Sequence, residues 1–224
     1  MLRAAMCARF GLHSPLEKLQ ELFGFAADVA LEPRWNIPPT SEVLAVRQAS
    51  GEAREPALLC WGLVPENRRA PIVNARSETA GALPVFREAM RSRRCLLPAD
   101  GFFEWRAEAG GRQPYWTTAS DGEPFGLGAI WEPARDADHP AACVILTTAS
   151  NDLLAPIHDR MPVIVPRELY GAWLSPSTPL DALAPALLPA PTDRLRVRRV
   201  STRVNNVRNE GPELLESAAQ QTLF

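Results

Sequence analysis

The apolar and polar positions of this 224-residue chain change period several times, and each change marks an element. Between residues 15 and 25, Leu16, Leu19, Leu22 and Phe23 fall on one face of a 3.6-residue period and predict a short amphipathic helix. Residues 43–47 alternate as a half-buried strand does, and 57–61 form an apolar run. Between helix and strands, 33–40 is a proline-punctuated loop. The helical period returns over 84–92, with Val85, Phe86, Ala89 and Met90 apolar. Four strand patterns follow, at 95–105 (broken by a turn at Asp100-Gly101), 114–118, 125–131 and 142–148. A further strand is expected over 161–165, and Pro166 opens a helix reaching Leu174, at the first position, which tolerates proline. Residues 176–191, rich in Ala, Leu and Pro, predict a loosely helical insertion, and 195–201 a last strand.

Many short strands with helices inserted, and no internal repeat, predict an α+β fold around an antiparallel, barrel-like sheet. The 22 prolines argue for turns and edges rather than a helical bundle. The length fits one domain, or at most two small ones, with a sizeable core.

Charge is nearly balanced, 24 basic against 26 acidic residues, so there is no global pull on nucleic acid. Lys18 is the one lysine; the other basic residues are arginines. Two groups of them, Arg87, Arg91, Arg93 and Arg94, then Arg194, Arg196, Arg198 and Arg199, leave room for a local phosphate track, although a general preference for arginine explains most of the count. The cysteines, Cys7, Cys60, Cys95 and Cys143, are scattered without a CxxC pair, so neither a metal site nor a cofactor is expected. Cys60, Cys95 and Cys143 lie in or beside apolar runs and read as core thiols, which fits a reducing, cytoplasmic location. No stretch is long enough to span a membrane.

Four segments place polar residues where a core would not want them: Cys7 with Arg9, residues 73–78, residues 98–105 and residues 157–162. Each has a plain structural explanation. Asn74 can cap a following short helix beside a solvated Arg76. Alternation can put Glu104 on a solvent face. A lone His158 is more often structural than catalytic, and Asp159 with Arg160 can be a surface pair.

Cys7 has a chemistry of its own if its amine is free. An N-terminal cysteine carries an amine and a thiol on adjacent carbons; the amine forms a Schiff base with an aldehyde, and the thiol closes a thiazolidine ring. An α-amine, with a pKa of about 7.7–8.0, supplies far more neutral amine at neutral pH than lysine does. Residues 1–5 are too short for a secretory signal. We expect translation to begin at Met6, or the chain to cut itself before Cys7. A buried, inert cysteine on a first strand is the alternative.

The runs Met6-Cys7-x-Arg9-Phe10, Arg34-x-Asn36-x-x-Pro39, Trp61-Gly62-Leu63-x-Pro65, Asn74-Ala75-Arg76-x-Glu78-Thr79, Cys95-Leu96-x-Pro98-Ala99-x-Gly101-Phe102-x-Glu104-Trp105 and His158-Asp159-Arg160-Met161-Pro162, in this order, resemble the SOS-response-associated peptidase (SRAP) family. The resemblance runs from Cys7 to about Gly211. It implies an SRAP-type fold, a domain over residues 6–211 and a C-terminal tail over 212–224. It further implies a protein that shields abasic sites in single-stranded DNA by a thiazolidine crosslink, with autopeptidase (hydrolase) and lyase-like character. Carried over by position, Cys7 is the nucleophile, Asn74 orients the amine and the sugar, Glu104 shuttles protons, and His158 protonates the sugar ring oxygen. Arg9, Arg76 and Arg160 are then phosphate contacts. Pro39, Trp61 and Trp105 shape the cleft or stack on bases, with a core role equally open for the two tryptophans.

Two departures from the family stand out. Ala8 replaces the usual glycine beside the nucleophile, and the loop Glu66-Asn67-Arg68-Arg69 replaces an aromatic wedge, favouring phosphate contacts. The ending Gln220-Gln221-Thr222-Leu223-Phe224 resembles the short motif by which bacterial repair proteins dock on the replication sliding clamp, a helix end folded back on the domain being the alternative. The expected protein is a monomer acting on abasic single-stranded DNA, without a membrane partner. A cysteine peptidase acting in trans through Cys7 and His158, and a non-catalytic single-strand binder, are the competing readings.

Overall fold

The computed structural model describes residues 8–26, 29–49, 51, 53–66 and 70–216. The first strand, β1 (Phe10–Leu12), leads into helix α1 (Leu16–Phe23), whose Leu19 and Phe23 are buried and whose end is closed by Gly24 in the left-handed conformation at φ 69°. Strands β2 (Arg34–Ile37), β3 (Glu42–Gln48) and β4 (Arg54–Trp61) follow, then the short β5 (Asn74–Arg76), α2 (Ser77–Ala80) and α3 (Pro84–Ser92). The middle of the chain is a run of strands: β6 (Arg94–Ala99), β7 (Gly101–Glu108), β8 (Gly111–Ala119), β9 (Phe125–Glu132) and β10 (Ala142–Ala149). It ends with β11 (Arg160–Pro162), β12 (Ile164–Val165), α4 (Tyr170–Leu174) and β13 (Leu195–Arg199), separated and followed by 3-10 turns.

Five strands close on themselves. β3 pairs antiparallel with β4 (Glu42↔Cys60 to Gln48↔Arg54) and with β6 (Val46↔Leu96). β6 pairs with β9 (Arg94↔Ile130 to Ala99↔Phe125), β9 with β10 (Ala142↔Glu132 to Ile145↔Ala129), and β10 returns to β4 in parallel (Ala142↔Cys60, Cys143↔Trp61). This is the barrel-like core expected from the strand pattern, with β5 and β11 attached along β10. A second, antiparallel sheet runs β13-β8-β7-β1-β2.

The second sheet is covered on both faces. Phe10 and Phe102 belong to the main core, whereas their neighbour Phe103 packs with Trp116, Val200, Val204 and Leu214 in a smaller cluster formed by the C-terminal 3-10 turns. The Asp100-Gly101 turn joins the two sheets. A Cβ on Gly101 would lie 2.5 Å from both the Thr117 carbonyl and the Trp116 ring, so only glycine fits there. The Asp100 carboxylate accepts the backbone N–H groups of His13 and Ser14, at 2.6 and 2.9 Å.

Three sequence expectations change. The proline-punctuated loop over 33–40 contains a strand, β2, because Asn36 is buried and its side chain is satisfied by Arg9 and by the Asn206 and Asn209 carbonyls. The strand expected over 161–165 splits, as Val163 donates to Leu146 of one neighbour and accepts from Gly128 of another. The first arginine group is no continuous phosphate track. Arg94 is 2% exposed and donates to the carbonyls of Met90, Arg91, Trp173, Ser175 and Thr178, and Arg93 forks onto Glu132.

Candidate functional site

The pairing of β1 with β7 carries the start of the described chain along the Glu104 strand: Phe10 lies opposite Phe102, and Phe103 N–H donates to the Arg9 carbonyl at 2.9 Å. Cys7 lies outside the described residues. Glu104 is 2% exposed. The solvent-facing option from alternation fails because both faces of this sheet are covered, so changing sides on the strand does not reach water. Its neighbour Trp105 is half-buried, donates Nε1–H to Asn205 Oδ1 at 2.6 Å, and lies 5.5 Å from Arg9 and 5.7 Å from Arg112.

Arg9 is itself buried and donates to Asn36 Oδ1 at 2.6 Å and to the Val204 carbonyl at 3.0 Å; burial lowers its pKa, with the charge of Glu210 acting the other way. Its guanidinium ties β1 to β2 and to the C-terminal turns. Any phosphate contact therefore shares a group already engaged inside the protein.

The other half of the site belongs to the barrel edge. Asn74 opens β5, which runs parallel to β10 (Ile145↔Asn74, Thr147↔Arg76). It is not the cap of α2: that helix starts at Ser77 with Arg76 as its N-cap. Arg76 is exposed. β10 pairs on its other side with β11, which starts at Arg160 (Ala149↔Arg160), directly after His158-Asp159. Arg160 N–H donates to His158 Nδ1 at 3.0 Å. That acceptor role leaves Nε2 as the proton-bearing nitrogen of the neutral ring. The ring is mostly buried, while Asp159, 3.1 Å from Nδ1, is exposed.

The Arg160 guanidinium reaches across the edge and forks onto Glu78, at 2.5 and 2.8 Å, while also donating to the Thr147 carbonyl at 2.6 Å. The Arg160 hydrogen bond is the main reason the Glu78 carboxyl is held below its ordinary range. Glu78 thereby joins the segment carrying Asn74 to the segment carrying His158. Nothing local in the sequence marks Glu78 for this role, because its partner Arg160 lies 82 residues away.

Trp61 takes the core option. It is fully buried, packs on Phe10 with ring centroids 5.3 Å apart, and donates Nε1–H to the Val73 carbonyl at 2.9 Å. It thus connects β1 to the residue before Asn74, and its ring is not available to a base. Pro39 is half-buried in the turn before Thr40, whose N–H donates to the Trp61 carbonyl at 2.8 Å. Past Trp61, the loop is closed at its base by the Leu63↔Ile72 bridge, and Glu66 is exposed and paired with Arg135 at 3.5 Å. Residues 67–69 and the tail from 217 lie outside the described residues.

The remaining thiols are not ready nucleophiles. Burial pushes Cys95 and Cys143 well up from the ordinary thiol value, and Cys60 in the same direction. Cys60, half-buried, is less enclosed than expected of a core thiol. Among the described residues no group of three or more His, Cys, Asp and Glu is placed to hold a metal ion, and no helix is long and apolar enough to cross a membrane.

Comparison with known proteins bears on this arrangement. YoqW of Bacillus subtilis (strain 168), an abasic site processing protein, is 34% identical over 95% of this chain and 100% of its own length. The abasic site processing protein YedK of Escherichia coli (strain K12) is 29% identical over 94% of the chain and 99% of its own length. In Xenopus tropicalis, the abasic site processing protein HMCES is 28% identical over 82% of the chain and 66% of its own length. A crystal structure of a protein from Bacteroides thetaiotaomicron shares the fold, with a TM-score of 0.81 at 23% identity over 95% of this chain and all of that one. One from Bordetella bronchiseptica gives 0.75 at 29% identity over 87% of this chain and all of that one. Residues 6–207 match the family model for SOS response associated peptidase (SRAP), and the chain therefore belongs to the SRAP family.

Proposed function

We propose that the protein recognises abasic sites in single-stranded DNA and crosslinks to them through Cys7. The observation that carries the reading is the buried Glu104 carboxylate on the strand that pairs with the chain leading from Cys7, in a protein whose relatives are named for abasic site processing. The open abasic sugar presents an aldehyde at C1′. The Cys7 α-amine adds to it and loses water, giving an imine. The thiol sulfur then bonds to the former C1′ carbon as the imine nitrogen takes up a proton. One thiazolidine ring forms and one water leaves. A carboxylate in a dry setting suits the proton transfers of addition and dehydration. Asn74 orients the amine and the sugar, His158 gives the Nε2 proton to the ring oxygen as the sugar opens, Arg76 meets the flanking phosphate, and Arg160, already forked onto Glu78, shares its charge with that phosphate. Arg9 contributes positive charge beside Trp105, and Pro39 shapes the turn that supports Trp61.

The free amine arises by initiation at Met6 or by self-cleavage ahead of Cys7, a peptidase step directed at the chain itself. The crosslink protects the lesion during the DNA damage response. The protein acts as a cytoplasmic monomer.

The test is to record the intact mass and incubate the protein with single-stranded DNA containing one abasic site. A chain starting at Cys7 and a heat-stable adduct are expected, and Cys7→Ser keeps DNA binding but loses the adduct. A chain beginning at Cys7 that gives no adduct would overturn the reading.

A further inference from the structure

The second arginine group remains unused by this reading, and its setting differs from that of the first. β13 is an edge strand paired on one side with β8. Arg194, Arg196 and Arg198 are exposed, and no ion pair engages them among the described residues, whereas Arg199 is taken by Glu108 and Gln113, at 3.0 and 3.1 Å. The register puts Arg198 opposite Trp116, Trp116 opposite Phe103, and Phe103 beside Arg9. Directly opposed residues share a face, so Arg198 and Arg9 end the same row, three strand spacings or about 14 Å apart. Arg196 stands one row further along, opposite Thr118.

Arg112 supplies the connection. It lies 5.7 Å from the Trp105 ring, and its carbonyl accepts from the same Asn205 side chain that receives Trp105 Nε1–H. Four residues along β8, roughly 13 Å, separate Arg112 from the level of Arg198. Arg112, Arg198 and Arg196 therefore descend one edge of the molecule in order, starting at the aromatic that borders the candidate site. Protection of an exposed edge against pairing needs only a charge of either sign. A row of one sign, with no ion pair among the described residues and continuous with the site, fits a polyanion.

We infer that the β8/β13 edge holds the phosphodiester backbone of the DNA strand flanking the lesion, extending the contact beyond the abasic nucleotide. This rests on the proposed function for its choice of polyanion. Each such contact releases condensed counterions and adds about 0.7 to the salt slope of single-strand binding.

The test uses undamaged single-stranded oligonucleotides of roughly 6 and roughly 20 nucleotides, lengths inside and beyond the usual single-strand site size of about 4–16. Their binding to the full chain is titrated against salt for the parent, for Arg196→Gln with Arg198→Gln, and for Arg196→Lys with Arg198→Lys. On the long strand the glutamine pair should lower the slope of log affinity against log salt by about 1.4, and the lysine pair should restore most of it. On the short strand the three proteins should coincide, and adduct yield on a saturating abasic strand should not change. An unaltered slope on the long strand overturns the inference, as does an equal loss on both lengths. So does self-association of the glutamine pair with DNA binding intact, which marks edge protection. Because this readout uses undamaged DNA, it separates from the crosslinking reading: absence of an adduct from the parent protein sinks that reading and leaves the slope to decide this one. Should the glutamine pair fail to fold, Arg112→Gln tests the same track at its start, with an expected loss of about 0.7 in slope.

Discussion

Trp61 donates its indole N–H to the carbonyl of Val73, one residue before Asn74, while its ring packs on Phe10, three residues beyond Cys7. One buried side chain thus spans from the strand that follows Cys7 to the strand that carries Asn74, the proposed nucleophile and positioning amide. An aromatic in this place supports the site from beneath. Trp61→Phe should keep the ring contact and leave the Val73 carbonyl without its donor, a loss of about 1–3 kcal/mol. Thermal unfolding should register this. Adduct formation should slow while affinity for undamaged DNA stays within about twofold, since the ring does not face a base. A selective loss of DNA affinity would instead give Trp61 a stacking role.

The Glu78–Arg160 fork makes a separate claim. Glu78→Gln keeps the size and loses the charge, so it should loosen the hold of β11 on α2 and with it the placing of His158. The pair is partly exposed, with Glu78 half open to solvent, and its contribution to stability is about 1 kcal/mol or less. The sign follows from the direction of the shift. The folded carboxyl titrates below its ordinary 4.5, so this contribution is present above that value and disappears as the pH falls through the lower folded pKa. The variant should therefore lose its stability deficit in acid. At neutral pH it should show slower adduct formation at unchanged DNA affinity. A Glu78→Gln protein with the parent's rate and pH profile would remove Glu78 from the positioning role.

Much of this architecture was legible because periodicity reports what each residue faces. Helix α3 starts and ends where its pattern does, at Pro84 and Ser92, and the Asp100-Gly101 break falls between two sheets. Other features depend on partners distant in sequence. β2 is a strand because Arg9 and the turns near residue 206 satisfy Asn36, about 27 and 170 positions away, and no local pattern shows that. Glu104 looks solvent-facing by alternation, yet it shares the face of Phe102, which packs in the main core, while C-terminal turns a hundred residues later cover the face of Phe103, so neither side of this strand reaches water. Trp61 carries no mark in the sequence that separates a core ring from a stacking one. The candidate site was visible as motifs, while the ties between its two halves required the fold.

Arg94 illustrates how a charge can serve structure alone. It is buried, and its guanidinium gathers carbonyls from the end of α3, from Trp173 in α4 and from the turn after it. Arg94→Met should fill much of the volume and still leave those carbonyls without donors. The expected destabilisation is about 1–3 kcal/mol, that of leaving buried carbonyls without donors. Arg94→Lys should recover only part, because a point charge replaces a planar fork. Denaturant midpoints for the two variants give the measurement. Equal, small effects would show that the carbonyls find other donors.

Glu104 bears most directly on the chemistry. Glutamine is close to isosteric with glutamate and retains hydrogen-bonding capacity, but it neither accepts nor releases a proton at neutral pH. In a site where the carboxylate only fills space, Glu104→Gln should leave adduct formation unchanged. In a site where it shuttles protons through addition, dehydration and ring closure, the rate should fall by about 10²–10⁴-fold while DNA binding persists. Reversal of a preformed crosslink should slow as well, since the same group acts in both directions. Single-turnover kinetics on an abasic strand, beside binding to the undamaged strand, separates these outcomes. A Glu104→Gln protein that crosslinks at the parent rate would mean that the proton transfers are handled elsewhere, with His158 the next candidate in the proposed set.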